Sequence, residues 1–85
     1  MINTKLLKTI SESEKVVGTK QVLKAMENGT ASKVVLARDA ELFISDKIKT
    51  AAKKYGVELS YCDTMAELGK LCGLAVGAAA AAELK

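Results

Sequence analysis

The residues best suited to chemistry lie just after a glycine, at the predicted start of a helix. Lys20 and Lys24 are four residues apart, so they are neighbours on one helix face, with Gln21 beside them. A helix N-terminus presents backbone N–H groups and partial positive charge, and both attract phosphate. The two ammonium groups add to that attraction, and the amide of Gln21 can hydrogen-bond to the edge of a base. From this stretch alone, an ordinary solvated helix start is the favoured interpretation, and a nucleic-acid contact is the alternative.

The helix that must position these side chains is predicted over residues 19–28. Thr19 is a candidate N-cap, and Gly29 stands where a left-handed C-terminal cap would fall. Its buried face is predicted from apolar residues at helical spacing: Val22, Ala25 and Met26, with Leu23 at the border.

The side-chain sets that catalysis or metal binding require are missing from the sequence. There is no histidine, and the acidic residues are scattered singly. Cys62 and Cys72 lie ten residues apart and form no Cys-x-x-Cys pair, so we expect both to be buried as small apolar residues. The Gly18-Thr19 pair lacks the spacing of a dinucleotide fingerprint or a P-loop. We expect no catalytic residue, no metal site and no cofactor.

Length and charge set further limits. The 85 residues are 49% apolar, which predicts a single domain over residues 1–85 with a packed core. Residues 1–38 carry seven basic and three acidic side chains, whereas residues 39–85 carry six basic and seven acidic ones. The basic excess thus lies in the half that contains Lys20 and Lys24. The longest uncharged run is shorter than the roughly 20 apolar residues of a membrane span, and the N-terminus lacks a signal-peptide pattern. We expect a cytoplasmic protein.

The order of predicted elements alternates helices and strands. The predicted helices are one capped by Asn3 or Thr4, the helix of residues 19–28, one from Ser45 or Asp46 to Gly56, and one from the capping box Thr64-Met65-Ala66-Glu67 to Gly73. The predicted strands that alternate with them are a short strand at Lys15–Val17, a central strand within Lys33–Asp39, a strand at Val57–Cys62 and a last strand over residues 78–83. This order predicts the α/β class, with helices on both faces of a small sheet as a three-layer α-β-α sandwich.

Two of these elements allow more than one interpretation. In the helix that ends at Gly56, Ile48, Ala51, Ala52 and Tyr55 form the predicted core-facing stripe. Its four lysines (Lys47, Lys49, Lys53 and Lys54) are expected to face solvent rather than RNA. Propensity favours a helix for the alanine run after Gly77, but this glycine and the short length argue against one. A strand between two helical layers also suits small residues. For this reason, and partly because of the family resemblance given below, we predict a strand.

Three motifs, in order and at matching spacing, resemble one known family. They are Gly18-Thr19-Lys20-Gln21-x-x-Lys24-Ala25-x-x-x-Gly29, Val34-Val35-Leu36-Ala37-Arg38-Asp39-Ala40 and Glu67-Leu68-Gly69-Lys70-x-Cys72-Gly73. Together they are similar to the kink-turn-binding ribosomal protein family of archaeal L7Ae and eukaryotic L30e, and more closely to its small bacterial YbxF-like branch. Lys20 and Gln21 stand where the archaeal pattern has asparagine and glutamate, and Leu42 stands where it has proline.

The resemblance implies a four-stranded mixed sheet between helical layers and an RNA site in two parts. In the first part, the N-terminus of the helix that starts near Thr19 reads tandem sheared G·A pairs in the major groove of a kinked RNA stem. In the second, the loop before the last strand packs apolar atoms against nucleotides extruded at the kink. Carried onto this chain, the first part comprises Gly18, Thr19, Lys20, Gln21 and Lys24, and the second comprises Leu74, Ala75, Val76, Gly77 and Ala78.

The sequence thus predicts a bacterial, non-catalytic RNA-binding protein that recognises and stabilises kink-turn RNA, either ribosomal or ribosome-associated. The expected partner is a kink-turn in ribosomal RNA or a messenger leader, bound by a monomer without contact to a membrane. The alternative is a protein–protein adaptor of the same fold without specific RNA binding. Lys20, Gln21 and Lys24 favour RNA, because an adaptor has no need of them.

Overall fold

The computed structural model describes residues 15–85. The first predicted helix, with its cap at Asn3 or Thr4, lies outside these residues. The described elements are β1 (Lys15–Val17), α1 (Thr19–Glu27), β2 (Ala31–Ala37), α2 (Leu42–Tyr55), β3 (Glu58–Cys62), α3 (Met65–Leu71) and β4 (Ala80–Leu84). Across residues 15–85, the helices are too short or too polar to cross a membrane.

The four strands form one mixed sheet in the order β1-β4-β2-β3. The last strand of the chain lies inside the sheet, antiparallel to both β1 and β2, whereas β2 and β3 are parallel. The predicted four-stranded mixed sheet is therefore confirmed. Because of this topology, β1, β2 and β3 all end at the edge where β4 begins. The chain crosses this edge at Gly18, Arg38, Asp63 and Ala79, and we refer to it as the upper edge.

Two hydrophobic cores lie on opposite faces of the sheet, because successive side chains of a strand point to opposite sides. Val34 and Leu36 of β2 belong to the core under α1 and α2, and Val35 and Ala37 belong to the core under α3. All four are buried, as expected for a central strand covered on both faces. The α-β-α layering predicted from the order of elements is confirmed.

Alanine fills β4 where it passes between the two helical layers. Ala80, Ala81 and Ala82 are fully buried, with Ala80 and Ala82 in one core and Ala81 in the other. The segment is a strand, as predicted, although it runs from Ala80 to Leu84 rather than over residues 78–83. Tertiary packing thus overrides the helix propensity of alanine.

Helix α2 begins at Leu42, so the predicted start at Ser45 or Asp46 is wrong. In the described part of the chain, no side chain caps this helix. The chain leaves β2 through a turn and enters α2 after Glu41, whose carbonyl accepts from the Ser45 N–H at 2.9 Å. Ile44 packs against the core, which fixes the first turn by burial. Sequence rules that look for a polar cap therefore place the start one turn too late.

Tyr55 is also misplaced by the helical-spacing argument. Ile48 and Ala52 are buried as predicted, but Tyr55 is 40% exposed at the end of α2. It lines an open cleft of about 480 Å³ between α1 and α2. The helix ends directly after it at Gly56, so no further turn covers the ring.

Candidate nucleic-acid interface

The two predicted parts of the site meet at the upper edge, although Gly18 and Leu74 are 56 residues apart in the sequence. The Gly18 N–H donates to the Ala80 carbonyl at 2.9 Å, which ties the start of α1 to the start of β4. On the other side, the Ala37 N–H donates to the Ala79 carbonyl at 2.8 Å. The loop of residues 73–79 therefore runs into β4 directly beside the N-terminus of α1.

Gly18, rather than Thr19, is the N-cap of α1, and Thr19 is the first helical residue. The prediction of a threonine cap is wrong because the chain turns out of β1 at a φ of 103°, a conformation that favours glycine. The Gly18 carbonyl accepts the first helical bond, from the Val22 N–H at 2.9 Å. Among residues 15–85, no side chain caps this end, and its first turn holds no acidic residue. The N–H groups of this helix end are therefore left without a capping side chain among the described residues, and no acidic residue of the first turn offsets its partial positive charge.

The polar side chains of α1 lie where the sequence pattern placed them. Lys20, Gln21 and Lys24 are exposed, whereas the predicted stripe on the other side of the helix is buried: Val22, Ala25 and Met26. The C-terminus follows the prediction as well, because Gly29 has a φ of 74° and its N–H donates to the Met26 carbonyl at 3.1 Å. Burial of one stripe therefore fixes which side of α1 faces outward.

The loop of residues 73–79 presents apolar side chains to solvent. Leu74 is 40% exposed and Val76 is 70% exposed. Their neighbours Ala75 and Gly77 are exposed as well. Ala78 differs: it is buried in the core under α3, and its N–H donates to the Met65 carbonyl at 3.0 Å. Its side chain anchors the loop and is not accessible to RNA.

Hydrogen bonds at the end of α3 fix the near end of this loop. Gly73 has a φ of 79°, its N–H donates to the Lys70 carbonyl at 3.0 Å, and the Leu74 N–H donates to the Gly69 carbonyl at 2.8 Å. These two bonds form a Schellman motif, which ends the helix at the predicted glycine. The loop therefore leaves α3 in a defined direction.

Gly69 supports the loop from below, a role that the sequence analysis did not assign. A Cβ built on Gly69 would overlap the carbonyl oxygen of Val76 and lie 3.0 Å from the Cα of Gly77. Only a glycine therefore allows the loop backbone to pass this close to α3. The signal in the sequence is a glycine in the middle of a helix that starts with a strong capping box.

Asp39 is a second positioning residue that sequence reasoning missed, although it stands in a quoted motif. Its Oδ1 accepts from the Met65 N–H at 2.7 Å, while the Thr64 Oγ1 accepts from the Glu67 N–H at 3.0 Å as the capping box predicts. The bond to Asp39 attaches the start of α3 to the end of β2, and the bond to Thr64 caps the helix. Since Met65 also holds Ala78, Asp39 helps to place the loop.

The cysteines are buried, as predicted. The Cys62 thiol donates to Glu67 Oε1 at 3.0 Å. Burial and this carboxylate raise the pKa of Cys62 to about 11, and burial raises the pKa of Cys72. Both thiols are therefore protonated near neutral pH and are poor nucleophiles. Residues 15–85 contain no group of three potential metal ligands.

Comparisons with known proteins agree on one family. The model of the ribosomal protein L7Ae/L30e/S12e/Gadd45 family matches residues 2–85. An RNA-binding protein of Caldanaerobacter subterraneus subsp. tengcongensis is 48% identical over 71 residues, which cover 84% of this chain and 87% of that protein. The RNA-binding protein YbxF of Geobacillus stearothermophilus is 41% identical over 78 residues, or 92% and 95% of the two chains. The solved 15.5kD RNA binding protein of Giardia lamblia superposes with a TM-score of 0.91 over 98% of this chain and 73% of its own, at 24% identity, and shows the same fold.

Proposed function

Because this chain belongs to the ribosomal protein L7Ae/L30e/S12e/Gadd45 family, in its YbxF-like bacterial branch, we propose that it is a non-catalytic RNA-binding protein that recognises and stabilises kink-turn RNA. One observation carries the proposal. An uncapped, lysine-bearing helix N-terminus lies beside an exposed apolar loop, and hydrogen bonds of Gly18 and Ala37 to the start of β4 hold the two together.

The helix half of the site suits a distorted stem. Regular A-form RNA has a major groove too narrow for side chains, whereas tandem non-canonical pairs at a kink widen it. The N-terminus of α1 then enters the groove with Lys20, Gln21 and Lys24 in front. The lysines provide charge for phosphates or for acceptor atoms on a base, and the Gln21 amide offers both donors and an acceptor. This combination fits the edges of sheared G·A pairs.

The loop half suits nucleotides that have left the stack. Leu74 and Val76 offer apolar surface to base or sugar, and Ala75 and Gly77 leave room for close approach. Burying about 60 Å² of apolar surface contributes roughly 1.5 kcal/mol. The bonds of Gly73, Leu74 and Ala78 order the loop before RNA arrives, so less conformational entropy is lost on binding.

The mechanism is a shift of population. Free RNA exchanges between extended and kinked forms, and the two halves of the site fit together only on the kinked form. The protein therefore stabilises the kink by its differential affinity for the two forms, without any chemical step. In this proposal a monomer acts in the cytoplasm on ribosomal RNA or a messenger leader, in association with the ribosome.

The test is a gel-shift titration at fixed salt and magnesium with two RNAs. One contains a kink-turn, and the other has its two G·A pairs replaced by Watson–Crick pairs. Tight binding to the first and weak binding to the second is the expected result. Equal weak binding to both contradicts the proposal and favours the adaptor function.

Lysine variants localise the contact. Lys20→Ala and Lys24→Ala are each expected to weaken binding to the kink-turn by on the order of 1–3 kcal/mol if the lysine reads a base edge. A lysine that contacts only phosphate instead lowers the slope of log affinity against log salt by about one. Lys49→Ala and Lys53→Ala on α2 remove the same charge at exposed positions and serve as matched controls. Equal losses of affinity in the α1 variants and the α2 controls would mean that binding depends only on net charge.

A further inference from the structure

Arg38 is an exposed cation at the upper edge that neither part of the site includes. It follows β2, and its N–H donates to the Cys62 carbonyl at 2.8 Å at the end of β3. The preceding residue, Ala37, is bonded to Ala79 at the end of the loop. Arg38 is therefore one residue from the point at which β2 bonds to the end of the loop.

The order of strands puts the loop between two cationic positions. β4 lies between β1 and β2, so residues 73–79 reach the sheet with the start of α1 on one side and Arg38 on the other. Lys20 stands at the α1 side. These two positions flank the loop on which the proposed function places the extruded nucleotides.

Two side chains of β3 and its end lie beside the Arg38 guanidinium. Its Cζ lies 4.9 Å from the ring centre of Tyr61, and its Nε lies 3.7 Å from Asp63 Oδ1. The side chains of Arg38 and Asp63 are 64% and 85% exposed, so water screens their attraction and little of the positive charge is lost. The ring restricts the side chain, while the terminal N–H groups of the fork have no hydrogen-bond partner among residues 15–85.

We propose that Arg38 is a further RNA-contacting residue, which binds a backbone phosphate of the strand that carries the extruded nucleotides, with Tyr61 as its positioning residue. Guanidinium binds phosphate through two parallel N–H donors, which suits a fixed, exposed fork at a sheet edge. The inference rests on the proposed function and extends its site from two parts to three.

The experiment measures affinity for the kink-turn RNA over a range of salt. Arg38→Ala is expected to bind about tenfold more weakly and to lower the salt slope by about one. Arg38→Lys is expected to recover part of the affinity and the whole slope. Lys53→Ala removes the same charge from the last turn of α2, at the other end of the sheet, and is expected to bind like the wild type. Equal losses in Arg38→Ala and Lys53→Ala would overturn the proposal.

Asp63→Asn separates RNA contact from a structural role. If Arg38 serves only to pair with Asp63, both variants lose the same ion pair and affect RNA binding equally. If Arg38 binds phosphate, Asp63→Asn removes a competing anion. The Asp63→Asn variant then binds the RNA as tightly as the wild type or more tightly, whereas the Arg38→Ala variant binds it more weakly. Parallel behaviour of the two variants overturns the proposal.

RNA binding by the wild-type protein distinguishes failure of the proposed function from failure of the role of Arg38. Failure to prefer the kink-turn over the Watson–Crick RNA refutes the proposed function itself. A retained preference together with wild-type affinity in Arg38→Ala refutes only the role of Arg38.

Discussion

At the scale of residues, the starts of α1 and α3 show how cap residues decide what a helix end does. The start of α3 is satisfied internally, because Thr64 Oγ1 and Asp39 Oδ1 accept its Glu67 and Met65 N–H groups. The start of α1 has Gly18 at its cap, which has no side chain to accept such bonds. The same backbone chemistry is therefore structural in α3, whereas in α1 the proposed function assigns it to RNA binding.

Cys62 gives a pH dependence with a definite sign. Its folded-state pKa is about 11 against an ordinary value of 9.0, so between these pH values the unfolded chain loses a proton that the folded chain keeps. The free energy of unfolding therefore falls as pH rises from 9 to 11, by about 2–3 kcal/mol for a shift of two pKa units. Below pH 9 this contribution is fully present. Urea unfolding at pH 8 and pH 11 measures the difference.

Cys62→Ala is the matched control for this pH dependence, because it removes the thiol and leaves the other titrating groups in place. Its stability is expected to fall less over the same interval, although Cys72 still contributes with the same sign. Identical pH dependence in the wild type and the variant would show that the Cys62 thiol is not held neutral by burial and Glu67.

At the scale of elements, α3 acts as a support for the loop, and Gly69 is where this can be tested. In a helix interior, Gly→Ala normally stabilises by about 1 kcal/mol. Gly69→Ala is expected to destabilise instead, because the new Cβ overlaps the carbonyl of Val76 and displaces the loop. Binding to kink-turn RNA is expected to weaken about tenfold or more, since the loop is one part of the proposed RNA site. Chemical denaturation and gel shift measure the two effects.

Ala66→Gly controls for helix propensity at an exposed position of the same helix. It is expected to cost about 1 kcal/mol of stability and to leave RNA affinity unchanged. If Gly69→Ala proves more stable than the wild type and binds RNA equally well, the close approach of the loop to α3 is not required.

The helix ends that the sequence predicted correctly share a local cause. Gly29, Gly56 and Gly73 all have positive φ and follow the last turns of α1, α2 and α3, a conformation that the residue type itself indicates. The start of α2 depended instead on burial of Ile44, and the role of Gly69 depended on a loop seven residues further along the chain. Such non-local contacts leave no periodic signal. Glycine at an unexpected place was the one available indication.

The candidate site also combines features that have a local cause with features that depend on non-local contacts. The outward face of α1 could be predicted from helical spacing, because burial of Val22, Ala25 and Met26 leaves Lys20 and Lys24 exposed. The pairing of α1 with the loop came from the family resemblance and not from any local pattern. Arg38 was visible in the sequence, but its position beside the loop depends on the strand order.

At the scale of the whole molecule, the internal position of β4 determines both the two-core architecture and the neighbours of the loop that leads into β4. β4 separates β1 from β2, so the loop that leads into it meets the start of α1 and the end of β2 at once. The same placement buries β4 between the two helical layers, and its three fully buried positions are all alanine. We therefore expect the packing around β4 to require small side chains.

Ala81→Leu tests this requirement. Ala81 is fully buried on the α3 side, paired with Val17 in β1 and with Val35 in β2. Three additional heavy atoms in this core force side chains or backbone to move, at a cost of about 1–3 kcal/mol. For a chain of this size, each kcal/mol lowers the melting temperature by roughly 4–8 °C. Ala66→Leu adds the same atoms at an exposed position of α3 and is expected to leave the melting temperature within a few degrees of the wild type. Equal melting temperatures for the two variants would mean that the space between the layers is not limiting, and the alanines of β4 would then need another explanation.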